Sequence, residues 1–317
     1  METLSYSPRE TASLLGITPR ALAGALKKDV YSPEDVWELR GKLQLEPPAL
    51  GTRKQLFLNF KGGTGKTSLS TSYAWRLAEK GYGVLLVDLD SQGHATKCLG
   101  YEGEDFQATL LDVLVKKKPV SQVIQKSLLP NLDFIPSNLS MSTVDLALMP
   151  MAGREFKLRN ALKEVEAHYD FIIFDAPPSF GLLNLNALMA AEDLIVPVLA
   201  DFLSFHGLKL LFETVQSLEE DLGHVLDHVF IVVNSFNATF KLAKEALEAL
   251  KQHYPEYLMP QVIRQCTRFA QASSEGMPIF RFDRESKGAA DMQSLIDEVL
   301  SRLATTKQGQ APAAKSA

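Results

Sequence analysis

The chain has 317 residues and 46% hydrophobic content, enough to bury one large core or one such core plus a small appended domain. Its 33 Lys+Arg stand against 38 Asp+Glu, a formal net charge of -5, which excludes wholesale nucleic-acid binding by global charge and leaves only a local surface for it. Two cysteines, Cys98 and Cys266, are too few for a disulfide framework, and no basic, apolar leader opens the chain, so the cytoplasm is the expected compartment.

In chain order, residues 1–44 read as a small all-α module. Ser7-Pro8, Thr18-Pro19 and Ser32-Pro33 each put a capping hydroxyl before a first-turn proline. Between the first two starts, ETASLLGITPRALAGAL gives a helix, a turn at Gly16 and a second helix, which is helix-turn-helix spacing. The stretch resembles the N-terminal half of the MerR-like helix-turn-helix, through Tyr31-Ser32-Pro33-Glu34-Asp35-Val36. Its reading helix offers only Arg20, Lys27 and Lys28, and residues 1–54 hold eight basic and seven acidic side chains, so partner docking and DNA reading both stay open.

Residues 45–53, LEPPALGTR, break the helical pattern and read as a linker. From residue 54 to 304, apolar runs alternate with amphipathic segments. LFLNF (56–60) precedes a helix from about Thr67 to Glu79, and VLLVDLD (84–90) follows it. Further strands are expected at 132–136, 171–177, 194–200 and 229–235. Near-continuous apolar strands separated by helices predict an α/β fold: a doubly wound, mostly parallel sheet covered on both faces. Residues 305–317 lack apolar periodicity and read as a disordered tail.

LFLNF, then Lys61 to Ser68 (KGGTGKTS), then a helix is the context that a phosphate-binding loop requires. Glycines 62, 63 and 65 let backbone N–H groups turn inward around phosphate oxygens, and the helix N-terminus adds its positive dipole end. The ATP-binding set is Lys61, Gly62, Gly63, Thr64, Gly65, Lys66, Thr67 and Ser68. Within it Lys66 would neutralise the β- and γ-phosphates and the Thr67 hydroxyl would ligate Mg²⁺. Against the pattern G-x-x-x-x-G-K-[ST], Phe60 replaces the first glycine, and a second lysine, Lys61, sits just inside the loop.

That extra lysine in KGGxGKT resembles the deviant phosphate loop of the ParA/MinD family, and the likeness extends from about residue 54 to about residue 303. The resemblance implies that Lys61 reaches across a sandwich dimer to the partner's ATP, so that hydrolysis depends on dimerisation. VLLVDLDSQG resembles the family's D-x-D-P-Q motif with Ser91 in place of proline, which makes Asp90 a catalytic residue that orients the attacking water and supports the Mg²⁺ shell. FIIFDAPPS resembles the Walker B strand, giving Asp175 to Mg²⁺ through water. Asn234, ending VFIVVNS, falls where the family contacts adenine. Catalysis is thus expected from Lys61, Lys66 and Asp90, and metal binding from Thr67, Asp90 and Asp175.

The same core serves several outputs. A ParA-like reading is an ATPase, weak alone, whose ATP homodimer binds DNA without sequence preference, sits on the nucleoid and is stimulated by a cargo or adaptor protein. RQCTRFAQASSEGMPIFRFDRESKG resembles the family's DNA-facing segment; with five basic and three acidic residues, it offers Arg264, Arg268, Arg281 and Arg284 as DNA contacts. The N-terminal helical module is similar to that of members which position the cell-division site. Alternatives are a chromosome or plasmid partition ATPase that also represses through residues 1–44, and an iron-sulfur reductase like the nitrogenase iron protein, using Cys98 and Cys266. A MinD-like membrane ATPase would need a C-terminal amphipathic helix that residues 305–317 do not supply, so no membrane partner is expected.

Overall fold

The computed structural model describes residues 4–308, with side chains through residue 305. Three capped helices open it: α1 (Pro8–Leu15), α2 (Pro19–Ala25) and α3 (Pro33–Lys42). Ser7 and Ser32 form reciprocal capping boxes with Glu10 and Asp35, and Gly16 ends α1 at φ 67°, a left-handed turn that favours glycine. Leu14, Leu15, Leu22, Tyr31 and Leu39 fill a core of their own, and Tyr6 and Tyr31 exchange backbone hydrogen bonds across it.

The rest is an eight-stranded sheet: β1 (Arg53–Phe57), β2 (Val84–Asp88), β3 (Gln125–Lys126), β4 (Leu132–Ile135), β5 (Phe171–Asp175), β6 (Asp193–Leu199), β7 (His228–Phe236) and β8 (Leu258–Arg264). Its spatial order is β3-β4-β2-β5-β1-β6-β7-β8, with β3 antiparallel to β4 and all other pairs parallel. Successive side chains alternate between faces, so Leu56 joins one apolar layer and Phe57 the other. The phosphate-loop strand β1 lies between β5 and β6, so the loop leaves from the middle of the sheet, where a crevice opens at the strands' carboxyl ends.

The α/β, mostly parallel sheet follows the apolar pattern, with differences that include two strands the pattern did not announce, β3 and β8. β1 starts at Arg53 and leaves the sheet after Phe57, so Leu58 to Phe60 lead into the loop. β8 carries Pro260 and pairs irregularly with β7 on one edge, where a proline is tolerated. The final helix, Lys287–Gln308, continues past the expected boundary at 304, and residues 309–317 lie outside the described residues.

α4 (Lys66–Glu79) runs from the loop to the helical module. At its far end the buried Glu79 carboxylate accepts from Trp75, Arg76, Tyr6 (3.2 Å) and Arg284. The Arg40 guanidinium donates to the carbonyls of Leu14, Leu45 and Glu79. This polar hub pins α1 and α3 to the end of α4.

Candidate functional site

The start of the loop is fixed by a side chain the sequence reading overlooked. Buried Asn59 donates to the Pro197 carbonyl (2.7 Å) and accepts from the Lys61 N–H (2.9 Å). Gly65 has φ 90°, and a Cβ there would stand 2.2 Å from Asn234 Nδ2, so the loop closes onto β7 only because position 65 is glycine. Asn234 donates to the Thr64 carbonyl (2.8 Å). It therefore braces the loop, and its register opposite Leu199 keeps it at the sheet's carboxyl edge.

Lys66 is 6% exposed and donates to the Lys61 carbonyl (3.2 Å). Burial lowers its pKa, opposed by the charges of Asp175 and Asp90. Among the described residues it makes no ion pair, and a desolvated ammonium in that position fits a phosphate. The Thr64 hydroxyl is likewise buried without a partner. Ser68 lies 3.3 Å from the Ser273 hydroxyl.

The register aligns Asp88 of β2 with Asp175 of β5. Asp175 accepts from Thr67 (2.8 Å) and Ser70 (2.9 Å), and burial pushes its carboxyl up to about 6 against those donors. Asp88 accepts from the N–H groups of Asp90 (3.1 Å) and Thr96 (2.8 Å) and from the Thr96 hydroxyl (2.7 Å). Burial and the charge of Asp175 push it up to about 8. Asp88 thus anchors the turn whose next carboxylate, Asp90, is half-buried and accepts from the Gln92 N–H. Thr67, Asp175 and Asp90 converge below the loop as hard oxygen donors, a set that fits Mg²⁺ shared with phosphate and water. No cluster of three or more His, Cys, Asp or Glu suited to hold a metal without phosphate occurs among the described residues.

Lys61 makes its ion pair with a carboxylate outside this set. Its ammonium meets Asp201 Oδ2 at 2.7 Å. Around the site stand exposed Phe180, Phe202 and Leu203, while Phe60 packs edge-on against Phe180.

The four arginine candidates separate. Arg264 and Arg268 are about half exposed, the first paired with Asp291 (2.7 Å) and the second with Asp283 (2.9 Å). Arg281 lies partly buried beside the Gly100 turn. Arg284 is the most engaged of the four: its guanidinium grips buried Glu79 and lies over the Tyr6 ring. Asp291, outside the counted segment, reduces the local positive excess from two to one. The cysteines also move away from the reductase reading. Cys98 is buried and its thiol pushed up to about 11 by that burial, whereas a cluster shared between subunits needs accessible thiolates.

Asn59, Ser70, Asp88 and Asp201 are site residues that the motifs did not single out. Asp88 carried a signal, as the first carboxylate of D-x-D; Asn59 and Asp201 acquire their roles only through strands far apart in sequence.

Residues 53–228 match a family model described as an AAA domain. Over 303 residues the chain is 76% identical to the cell division protein PomZ of Myxococcus xanthus, covering 96% of this chain and 95% of that protein. It is 36% identical to the sporulation initiation inhibitor protein Soj of Bacillus subtilis over 241 residues, 76% of this chain and 95% of that protein. The McdA–ATP complex from Cyanothece shares the fold, with a TM-score of 0.72 and 22% identity over 79% of this chain and 96% of that one. The phosphate loop with its extra lysine, the aligned carboxylates and these likenesses together place the chain in the ParA/MinD family of ATPases.

Proposed function

We propose that the chain is an ATP- and Mg²⁺-dependent ATPase whose ATP-bound homodimer binds DNA without sequence preference and positions a cellular cargo, foremost the division site. The carrying observation is the loop itself: Lys66 is buried within the charge of Asp175 and Asp90, while Lys61 on the same loop pairs with Asp201 instead. A cation held outside its own site suits delivery to a second copy. ATP with Mg²⁺ supplies the transferable phosphoryl group and the charge-neutralising metal.

In this reading Lys66 binds the β- and γ-phosphates, Thr67 and Asp175 hold the metal shell, and Asp90 orients water. Asp88 keeps Asp90 in place through its N–H. The cargo is supported by the 76% likeness to PomZ, a cell division protein. Arg268, half exposed, leads the DNA contacts, with Arg264 and Arg281 beside it. An adaptor protein at the cargo stimulates hydrolysis and returns monomers that release DNA. The protein works in the cytoplasm on the nucleoid; among the described residues no helix is long and apolar enough to cross a membrane.

Residues 1–44 act as a docked structural or partner-binding module, and 45–53 as its linker. Docking through Arg40 and Tyr6, and an exposed face of α2 made of Arg20, Ala21, Ala23, Gly24 and Ala25, support this over a base-reading helix.

The test is salt-dependent retention on random DNA with and without ATP, alongside sedimentation. Arg268→Glu should lose roughly tenfold or more in DNA affinity, by exchanging a phosphate contact for a repulsion, while still dimerising with ATP. DNA retention equal to the parent's moves the surface elsewhere, and tighter retention on one upstream sequence supports the repressor reading.

A further inference from the structure

β6 carries a proline inside the sheet. Pro197 is buried on a strand that pairs with β1 on one side and β7 on the other, where a missing N–H interrupts a ladder. Here the interruption falls on the β1 side. Gln55 to Phe57 of β1 run in register with Asp193 to Ile195, and the last rung is the Leu58 N–H donating to the Ile195 carbonyl (3.1 Å). Alternate residues of a strand turn their backbone polar groups to the same neighbour, so the next rung would run from the N–H of residue 197 to the Leu58 carbonyl. Proline has no such donor, and among the described residues no N–H bonds the carbonyl of fully buried Leu58.

The rung after that is closed as well. A continuing β1 would bring the Phe60 N–H to the Pro197 carbonyl, but Asn59 Nδ2 occupies it at 2.7 Å. Asn59 Oδ1 accepts from the Lys61 N–H (2.9 Å), a side-chain turn that bends the chain out of the sheet. One amide orientation satisfies both contacts.

On the reading of residues 61–68 as the ATP site, we infer that Pro197 and Asn59 are positioning residues for ATP hydrolysis. Pro197 withholds the rung that would keep β1 in the sheet, Asn59 occupies the acceptor beyond it, and together they fix where the strand becomes the phosphate loop. Function is thereby set against stability. A chain that kept the rung would satisfy one more buried carbonyl, but it would carry Asn59 to Lys61 along β6 and misaim the loop glycines. A displacement of about 1 Å at reacting groups costs about a hundredfold in rate.

Pro197→Val is the discriminating variant, because valine is close to proline in bulk, suits a strand and restores the N–H. Hydrogen exchange should show the amide at position 197 protected. The melting temperature should match or exceed the parent's, since the regained hydrogen bond offsets the freedom that losing proline returns to the unfolded chain. ATP affinity in the presence of Mg²⁺ should nonetheless fall about tenfold, and single-turnover hydrolysis about a hundredfold. Pro197→Ala should repeat the pattern with a smaller side chain. Asn59→Asp keeps the acceptor for Lys61 but turns an oxygen on the Pro197 carbonyl, and it should also weaken ATP binding.

A protected amide at 197 with ATP affinity and turnover equal to the parent's overturns the positioning role. So does a freely exchanging amide, whatever the activity, because any loss would then not come from the rung. Failure of both variants at 197 to fold overturns it too, and undiminished ATP binding by Asn59→Asp removes Asn59 from the pair. Lys66→Ala leaves the strand exit intact and tests the site itself: ATP bound as tightly as by the parent would sink the reading of the loop as the ATP site, and the role of the exit with it.

Discussion

Asp88 and Asp90 show how two carboxylates separated by one residue take different work. Asp88 is buried under three hydrogen bonds and serves as an anchor, whereas Asp90 sits at the turn that Asp88 holds, half-buried and facing the loop. Asp90→Ala removes a carboxylate but neither a loop donor nor a backbone contact of Lys66. It should bind ATP and dimerise while losing at least about a hundredfold in hydrolysis, the usual contribution of a positioned base. Single-turnover ATP cleavage beside sedimentation checks it, and a variant that cannot dimerise would place Asp90 in assembly. The motif spacing made Asp90 and Asp175 legible, but the raised Asp88 carboxyl comes from burial and from the charge of Asp175 across the sheet, which spacing does not encode.

At the level of elements, the decisive unit is α4, which links the loop at one end to the helical module at the other. Its last residue, Glu79, would be costly to bury alone; Arg284, Arg76, Tyr6 and Trp75 make it tolerable. Arg284→Ala leaves that carboxylate under-paired, and losing one partner of a buried pair costs about 3–5 kcal/mol. The melting temperature should fall by several degrees, on the order of 10 °C.

The same hub has an acid signature. Burial raises the Glu79 carboxyl, but Arg284 and Arg76 outweigh that and lower it below its ordinary 4.5. Its contribution to stability is therefore present above 4.5 and lost as pH falls through the lowered folded value. Glu79→Gln should melt lower near neutrality yet lose less stability between pH 5 and 3 than the parent does. Melting curves across that range decide it, and parallel losses would show that Glu79 does not titrate in this window. The helix starts of the module were legible from serine and threonine before proline. Its attachment was not, because Arg40, Tyr6 and Arg284 meet Glu79 from three distant segments.

For the whole molecule, the proposed switch requires two phosphate loops to approach closely. Gly62 is exposed, its backbone is not left-handed, and a Cβ built there meets nothing within 4 Å. Gly62→Val should therefore fold with a melting temperature close to the parent's, yet shift ATP-dependent dimerisation by tenfold or more to higher concentration. Sedimentation and a thermal melt on the same sample test both halves, and unimpaired dimerisation would remove the close approach.

The sequence by itself determined the parallel sheet, the loop and the oxygen donors around it, because apolar runs and glycine-lysine spacing are local patterns with local causes. Tertiary structure decided which charges are available. Arg284 is engaged because a buried glutamate lies opposite it, and Lys61 gained a partner because β6 delivers Asp201 beside the loop. Pairing between residues distant in the chain depends on where the strands end, and no short motif contains that information.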